Sequence, residues 1–384
     1  NPQLPVKSLV RFTSVSKRWL TIILFDPDFT TLLRRNKTLT RRLLVYSRKG
    51  NPGKLKSRNS EMTSFKKVKF PFQRRFVTLL GSCNGLVFVV DENDVHSFRV
   101  HVWNPLTGFV KELPIPGFST DFDLELRAYG VGYLPATDEY KVILSYAPVE
   151  VELDVNNETE EEYNRRVEED EKLNFSKVMS LNDGIWRSIE APKDCYSNHQ
   201  QGTLVNGWLQ WLQTPLSDEI VAFDLAREEF REIEMPNFGP KKIRDLSELR
   251  FCFVGCLEGC LCVLRYPVID ACDSIDFWVM REYGVVESWT KLFTFRFSNP
   301  EWSMRPLLIT ENSTVALKWN ADIWSRNVFS ADASTGVRIS HKQEGEEEPC
   351  VNILGGNWDN VIEYEEGLAS IGGYNGVHHN ASQS

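Results

Sequence analysis

The chain has 384 residues and a formal net charge of −9, and its 11 Trp, 11 Tyr and 23 Phe favour a mainly β fold. No apolar run approaches the roughly 20 residues of a membrane-spanning helix, the start lacks a signal-peptide layout, and eight cysteines are too sparse for a disulfide scaffold. We therefore expect a soluble protein of the cytoplasm and/or nucleus, with reduced thiols and no membrane partner.

Charge divides the chain into two unlike parts. Residues 1–76 carry 19 Lys/Arg against three acids, a balance of +16, and the other 308 residues have a balance of −25. A basic segment can indicate nucleic-acid binding, but these cations are not interleaved with a platform of stacking aromatics. We therefore favour a solvated basic surface that faces an acidic protein partner, and expect no nucleic acid.

Residues 1–46 have the pattern of short amphipathic helices. Leu9, Phe12, Val15, Trp19 and Ile22 or Ile23 recur at steps of three and four, which places them on one helical face. Ser16 is suited to cap a second helix, and the Asp-Pro pair at 26–27 to begin a third. Because such helices are marginal alone, they need a packing partner, which is either the downstream domain or another protein.

The order LPxKSLxxFxxVSKxWxxI at residues 4–22 resembles the second half of an F-box, the helical module that binds the Skp-type adaptor of cullin-based ubiquitin ligases. The family has an earlier helix at the point where this chain begins, so the resemblance implies that the first part of the module is missing and leaves adaptor binding by this chain open. It implies that some residues contact the adaptor, while some of them hold the helices together instead. The implied adaptor contacts are Leu4, Pro5, Leu9, Phe12, Val15, Lys17 and Trp19.

A basic, loop-rich linker is predicted at 47–75, and repeated β units follow it. Asn84-Gly85 separates two apolar runs, a strong hairpin signal, and Asn206-Gly207 and Glu258-Gly259 repeat it. A strand centred on a large aromatic residue follows each turn after 17 to 20 residues, at Trp103, Phe223 and Trp278. Strand pairs therefore recur every 40 to 60 residues.

This period predicts a kelch-like β-propeller, or a related ring of β-sheets, with about six or seven blades. The main rival fold is a pair of two-layer sandwiches. We expect large aromatic residues to wedge between neighbouring sheets as core residues rather than to contact a ligand. These residues are Trp103, Trp186, Phe223, Trp278 and Trp289.

The β region from "GSCNGLVFVV" to "IVAFDLAREEF" resembles the F-box-associated domain of plant F-box proteins, including the kelch-type and S-locus groups. The resemblance covers most of residues 76–340, and it follows the partial F-box in the family's own order. In that family this domain recruits the protein to be ubiquitinated. The remaining parts are an acidic insertion at 150–172, with 11 acids and three bases, and a segment at 341–384 that ends in a flexible tail. The insertion is either a solvated projection or a recognition loop for a basic partner.

Sequence motifs predict no catalytic or metal centre. Cys252, Cys256, Cys260 and Cys262 lack paired Cys-x-x-Cys spacing, and all four share strand parity, which predicts one face of a buried hairpin. The six histidines form no catalytic layout, and no nucleophile elbow, HExxH or P-loop appears. We expect no cofactor and no enzymatic activity.

The two resemblances together imply a substrate-recognition subunit of a ubiquitin ligase of the Skp-cullin-F-box (SCF) type. Its helices would bind the Skp-type adaptor, and through it a cullin, and its β-domain would hold a target protein that the sequence does not name. The alternative is a propeller scaffold or a ligand-binding, lectin-like protein whose helices are only packing elements. Burial of Leu9, Val15 and Trp19 against the β-domain would favour this alternative. A catalytic function ranks third, since it requires titratable side chains that converge at the ring's centre.

Overall fold

A computed structural model describes the helical start and the strands of the β region, and the statements below concern these residues. They are 6–26, 29, 41–47, 54–59, 65–68, 71, 77–91, 98–117, 124–148, 175–190, 200–212, 219–238, 252–257, 259–265, 274–296, 304–309, 314–319, 352–356 and 360–368. The predicted insertion at 150–172, most of the predicted third helix and the tail after residue 368 lie outside them.

Two short helices precede the β region, α1 (Val6–Thr13) and α2 (Lys17–Phe25). The Ser16 side chain accepts a hydrogen bond of 3.2 Å from the Trp19 backbone N–H, which confirms the predicted cap. Asp26 Oδ1 accepts another, of 3.1 Å, from the Phe29 N–H. Neither helix is long enough to cross a membrane.

Six sheets are built from 24 described strands. The first sheet combines both ends of the region, in the order β24-β1-β2-β3, and the next four sheets are formed mainly by consecutive strands. The strands are β1 (Arg41–Ser47), β2 (Lys54–Asn59), β3 (Phe65–Lys67), β4 (Val77–Cys83), β5 (Leu86–Asp91), β6 (Arg99–Trp103), β7 (Val110–Glu112), β8 (Leu124–Leu134), β9 (Glu139–Pro148), β10 (Phe175–Ser180), β11 (Trp186–Ile189), β12 (Gln200–Gln201), β13 (Thr203–Val205), β14 (Trp208–Leu212), β15 (Glu219–Asp224), β16 (Glu229–Glu234), β17 (Cys252–Leu257), β18 (Cys260–Arg265), β19 (Ser274–Met280), β20 (Trp289–Arg296), β21 (Met304–Ile309), β22 (Thr314–Trp319), β23 (Asn352–Gly356) and β24 (Asn360–Glu365).

The sheets form a closed ring. Each sheet contacts the next through its inner strands, in the succession β24, β4, β8, β13, β17 and β21, and β21 contacts β24 again. β24 pairs antiparallel with β1, so strands from the two ends of the region close the ring within one sheet. The predicted fold class, mainly β with a small helical module at the N-terminal end, is confirmed as a β-propeller.

The predicted hairpin turns lie between the first two strands of a sheet. Asn84 and Gly85 have φ values of +52° and +85°, and Asn206 and Gly207 have +52° and +81°, as a two-residue hairpin turn requires. Gly85 also approaches Gly367 so closely that a Cβ added at Gly85 would lie 2.7 Å from the Gly367 Cα. A side chain is therefore excluded at this point of the ring closure.

The predicted aromatic wedges lie at the boundaries between sheets. Trp103 is buried among residues of the first and second sheets, and Phe223 among residues of the third and fourth. Trp186, Trp278 and Trp289 are half-buried at other boundaries. The Trp186 indole N–H donates to the Pro114 carbonyl at 2.7 Å, and the Trp289 indole N–H to the Glu234 carbonyl at 3.0 Å, so each of these two links neighbouring sheets.

The ring extends beyond the bounds predicted for the β-domain. Residues 54–59 and 65–67, which the sequence predicts as part of a linker, form β2 and β3 of the first sheet. β23 and β24 come from the predicted C-terminal segment. β2 and β3 are basic and short of apolar residues because they are the outer strands of their sheet, so their sequence has little strand character.

The prediction that four cysteines share one face is wrong. In the hairpin β17–β18, Cys256 pairs with Leu261 and Gly255 with Cys262, so residues of opposite parity lie on the same face. Cys252 and Cys256 therefore lie on one face of the sheet, and Cys260 and Cys262 on the other. The two-residue turn at 258–259 causes this, because it pairs Leu257 with Cys260.

Candidate protein-interaction site

The two helices are anchored to the ring by a small apolar cluster. Leu9 of α1 is 1% exposed and Ile23 of α2 is fully buried, and both pack with Leu368, which follows β24. Leu106, in the turn between β6 and β7, is half-buried against the same cluster. One face of the helical module is therefore used up in holding it to the β-domain.

The other side of the module presents apolar side chains to solvent. Val15 is 65% exposed, Trp19 43% and Leu20 37%, and we call these three residues the α2 ridge. The Trp19 ring stacks on the half-buried Phe12, with 5.5 Å between ring centroids and 29° between planes. Exposed tryptophan surface next to two aliphatic side chains is typical of a protein-binding patch.

Basic residues surround the α2 ridge. Arg11, Lys17 and Arg18 are exposed, and residues 6–25 contain no acid. These cations would repel a basic partner and attract an acidic one, and they would accelerate association with the latter.

The structure divides the seven predicted contact residues into three groups. Val15, Lys17 and Trp19 are exposed and accessible to a partner, and Phe12 is half-buried beneath Trp19. Leu9 is buried against the ring, so it supports the helices, as the alternative interpretation of the pattern allows. Leu4 and Pro5 lie outside the described residues. Leu20 was missed, because its exposure depends on which helical face packs on Leu368.

The two faces of the ring differ in their connections. In the second to fifth sheets, the turns between the first and second strands and between the third and fourth lie on one face, and they are two to eight residues long. The helical module packs on this face, through Leu106 and Leu368, and we call it the helix-side face. The remaining connections of these sheets begin and end on the opposite, connection-side face, and they include residues 92–98, 113–123, 149–174 and 235–251.

Described titratable groups near the ring's centre do not form a catalytic arrangement. Burial, reinforced by the charge of Glu365, raises the pKa of the Cys83 thiol to about 12, so this thiol is neutral and a weak nucleophile. Arg41 and Glu365 are paired with each other, with 3.3 Å between Nε and Oε1. His101 lies on β6, away from the inner strands, and no described group of three or more His, Cys, Asp or Glu residues is placed to hold a metal ion.

Comparisons with known proteins agree with this architecture. A family model described as the F-box associated beta propeller domain matches residues 45–367, a range that includes β2, β3 and β24. An F-box/kelch-repeat protein of Arabidopsis thaliana is 27% identical over 344 residues, which cover 84% of this chain and 83% of the relative. The F-box protein CPR1 of the same plant is 28% identical over 343 residues, covering 82% of this chain and 76% of CPR1. A further Arabidopsis thaliana F-box protein is 26% identical over 345 residues, covering 82% and 77%.

Proposed function

The chain belongs to the plant F-box proteins with a C-terminal F-box-associated β-propeller domain, and from this premise we propose that it is the substrate-recognition subunit of an SCF-type ubiquitin ligase. In this function the helical module binds a Skp-type adaptor, and through it a cullin. The propeller binds the target protein. The observation that supports this most is the exposure of Val15 and Trp19 on helices whose opposite face is anchored to the ring.

The proposed contribution of the protein is proximity. A target held on the propeller meets the ubiquitin-carrying enzyme of the same complex at a high effective concentration, so that weak encounters lead to transfer. No side chain of the receptor needs to take part in the chemistry. This accords with the neutral Cys83 thiol and with the Arg41–Glu365 pair at the ring's centre.

We assign the target to the connection-side face. The helix-side face already carries α1 and α2, and an adaptor on the α2 ridge would cover more of it. Long connections of a propeller commonly carry its binding residues, because they vary without disturbing the sheets. Ile115, which follows β7 on the connection-side face, is 51% exposed and provides a described residue for testing this assignment.

Adaptor capture tests the proposed function. The protein is immobilised and the retained Skp-type adaptor is quantified for the unchanged chain and for Val15→Glu. The matched control is Ile185→Glu, an equally exposed aliphatic residue of the ring at 60% against 65%. We expect Val15→Glu to abolish capture and Ile185→Glu to leave it unchanged. Equal capture by both variants, or no capture by the unchanged chain, would support the scaffold alternative.

A second measurement separates target binding from adaptor binding. Proteins that accumulate on the receptor when the proteasome is blocked are identified by mass spectrometry, and ubiquitination of the strongest candidate is followed. Ile115→Glu should lower this ubiquitination without lowering adaptor capture, whereas Val15→Glu should lower both. If Ile115→Glu and Ile185→Glu have the same effect on ubiquitination, the assignment of the target to the connection-side face fails.

A further inference from the structure

A cavity of about 330 Å³ lies at the centre of the ring, toward the helix-side face. This volume falls within the range of about 300–1,000 Å³ that is usual for small-ligand pockets. Inner strands of five sheets line it, in each case near the end of the strand that leads to the helix-side face. The cavity is therefore a product of the ring and is distinct from the α2 ridge and from the connection-side face.

The polar groups of the cavity wall are held in place from behind. Ser82 Oγ donates to the Glu363 carbonyl at 2.6 Å, and Thr203 Oγ1 donates to the Val254 carbonyl at 3.1 Å. The Asn84 amide donates to the Tyr140 hydroxyl at 3.0 Å. Groups fixed in this way lose little conformational entropy when a ligand binds, so the cavity is a preformed site.

The charge of the cavity wall is negative. Its charged residues are Arg41, Glu363 and Glu365, and Arg41 pairs with Glu365, so the carboxylate of Glu363 leaves a net charge of −1. Glu363 and Glu365 are two residues apart on β24 and lie on the same face of that strand. The raised pKa of Cys83 keeps the thiol in this wall uncharged. Leu80, Val131 and Phe253 supply the apolar part of the wall.

We propose that the central cavity binds a guanidinium or ammonium group through Glu363, with the attached alkyl chain packed against Leu80, Val131 and Phe253. The group belongs either to a small amine or to a basic side chain of a bound protein, and the cavity volume suits a molecule of the size of arginine. A cation is favoured because Glu363 lies in a partly enclosed site, where charge interactions are stronger than in water. The inference goes beyond the proposed function, which assigns no ligand to the ring's centre.

Calorimetric titration of the full chain with two matched probes tests the proposal. Argininamide and citrullinamide have nearly the same shape, but only the first carries a guanidinium charge. We expect argininamide to bind at least about tenfold more tightly, since one good charge interaction is of that order. Equal affinities, or the absence of argininamide binding up to about 10 mM, would overturn the proposal.

Two additional probes distinguish the sources of the cation. Agmatine represents a free amine, and a capped Gly-Arg-Gly tripeptide represents a side chain of a bound protein. If agmatine binds and the tripeptide does not, the cavity receives a small amine. If the tripeptide binds at least as tightly as agmatine, it receives a basic side chain.

Three substitutions assign the interaction to the cavity. Glu363→Gln removes the charge with little change of shape and should weaken argininamide binding about tenfold. Arg41→Gln removes a competing cation and should strengthen the binding. Glu232→Gln, on the exposed outer strand β16, is the matched control and should change nothing. Thermal unfolding midpoints establish that each variant is folded. Unchanged affinity in both Glu363→Gln and Arg41→Gln would contradict the proposal.

Discussion

The two faces of the ring perform different tasks with the same repeated sheets. On the helix-side face, short turns are tied to one another and to the helical module, as the contact of Gly85 with Gly367 and the packing of Leu9 on Leu368 show. The connection-side face carries the longer connections. The comparison indicates that rigidity is concentrated where the protein holds its own helices, and that sequence variation is accommodated on the other face.

Glu228 shows how tightly the helix-side face is built. It lies in the turn before β16 with φ +60°, at the position where the corresponding turns have Gly108 and Gly184. Its carboxylate accepts hydrogen bonds from Lys141 Nζ at 2.7 Å and Arg187 Nη2 at 2.6 Å, both in the third sheet. These charge-assisted bonds offset the strain of a left-handed backbone, and they join the third and fourth sheets.

The largest expected effect comes from closing the space between Gly85 and Gly367. Gly85→Ala should lower the free energy of unfolding by about 3 kcal/mol, because the new Cβ meets the Gly367 backbone and alanine also disfavours positive φ. Gly207→Ala is the matched control, since Gly207 has φ +81° at the same turn position and nothing within 4 Å of the added Cβ. It should cost about 1 kcal/mol. Chemical unfolding measures both values, and equal losses would show that the contact does not tighten this face.

Replacing Glu228 has the next largest effect. Glu228→Gln should cost about 2 kcal/mol at pH 7, because Lys141 is left buried without its carboxylate partner. Burial alone would raise the pKa of Glu228, but the hydrogen bonds from Arg187 and Lys141 outweigh it and hold this pKa below its usual value.

A carboxyl group with a lowered folded-state pKa stabilises the protein above its unfolded-state pKa, and this stabilisation is lost as the pH falls through the folded-state pKa. The difference in stability between the unchanged chain and Glu228→Gln should therefore be constant near neutral pH and shrink below about pH 4.5. Unfolding curves across this range measure the difference. A difference that grew on acidification would contradict the assigned pairing.

The smallest expected effect concerns the indole links between outer strands. Trp289→Phe removes the hydrogen bond to the Glu234 carbonyl and should cost about 1 kcal/mol. Trp186→Phe removes the equivalent link to Pro114 and should cost a similar amount. Thermal unfolding compares the two variants. If one loss is several times the other, the two boundaries are not equivalent parts of one repeat.

Local signals in the sequence were sufficient for the repeated part of the ring. Asn84-Gly85 and Asn206-Gly207 predicted hairpins because few other residue pairs adopt positive φ twice in succession, and Trp103 and Phe223 predicted the apolar boundaries. The ring closure had no such signal. The pairing of β24 with β1 joins residues more than 300 positions apart, and only the complete ring brings them together.

The candidate site could be predicted only in part. Helical periodicity predicted one apolar face, but it could not assign Leu9 to the ring and Val15 to solvent, because that division is made by Leu368 and Leu106. The central cavity has no sequence motif, since its wall is assembled from five sheets. The parity of the cysteines was misjudged because a two-residue turn reverses parity between paired strands.

The affinity of the Skp-type adaptor for Trp19→Ala, measured together with the stability of that variant, tests the central claim most directly. Trp19 is 43% exposed, so the substitution should change the free energy of unfolding by less than about 0.5 kcal/mol. Adaptor affinity should fall about 30-fold or more, as expected for a central interface tryptophan. A variant that unfolds more easily while its adaptor affinity is unchanged would contradict the claim that the α2 ridge is built to bind a partner.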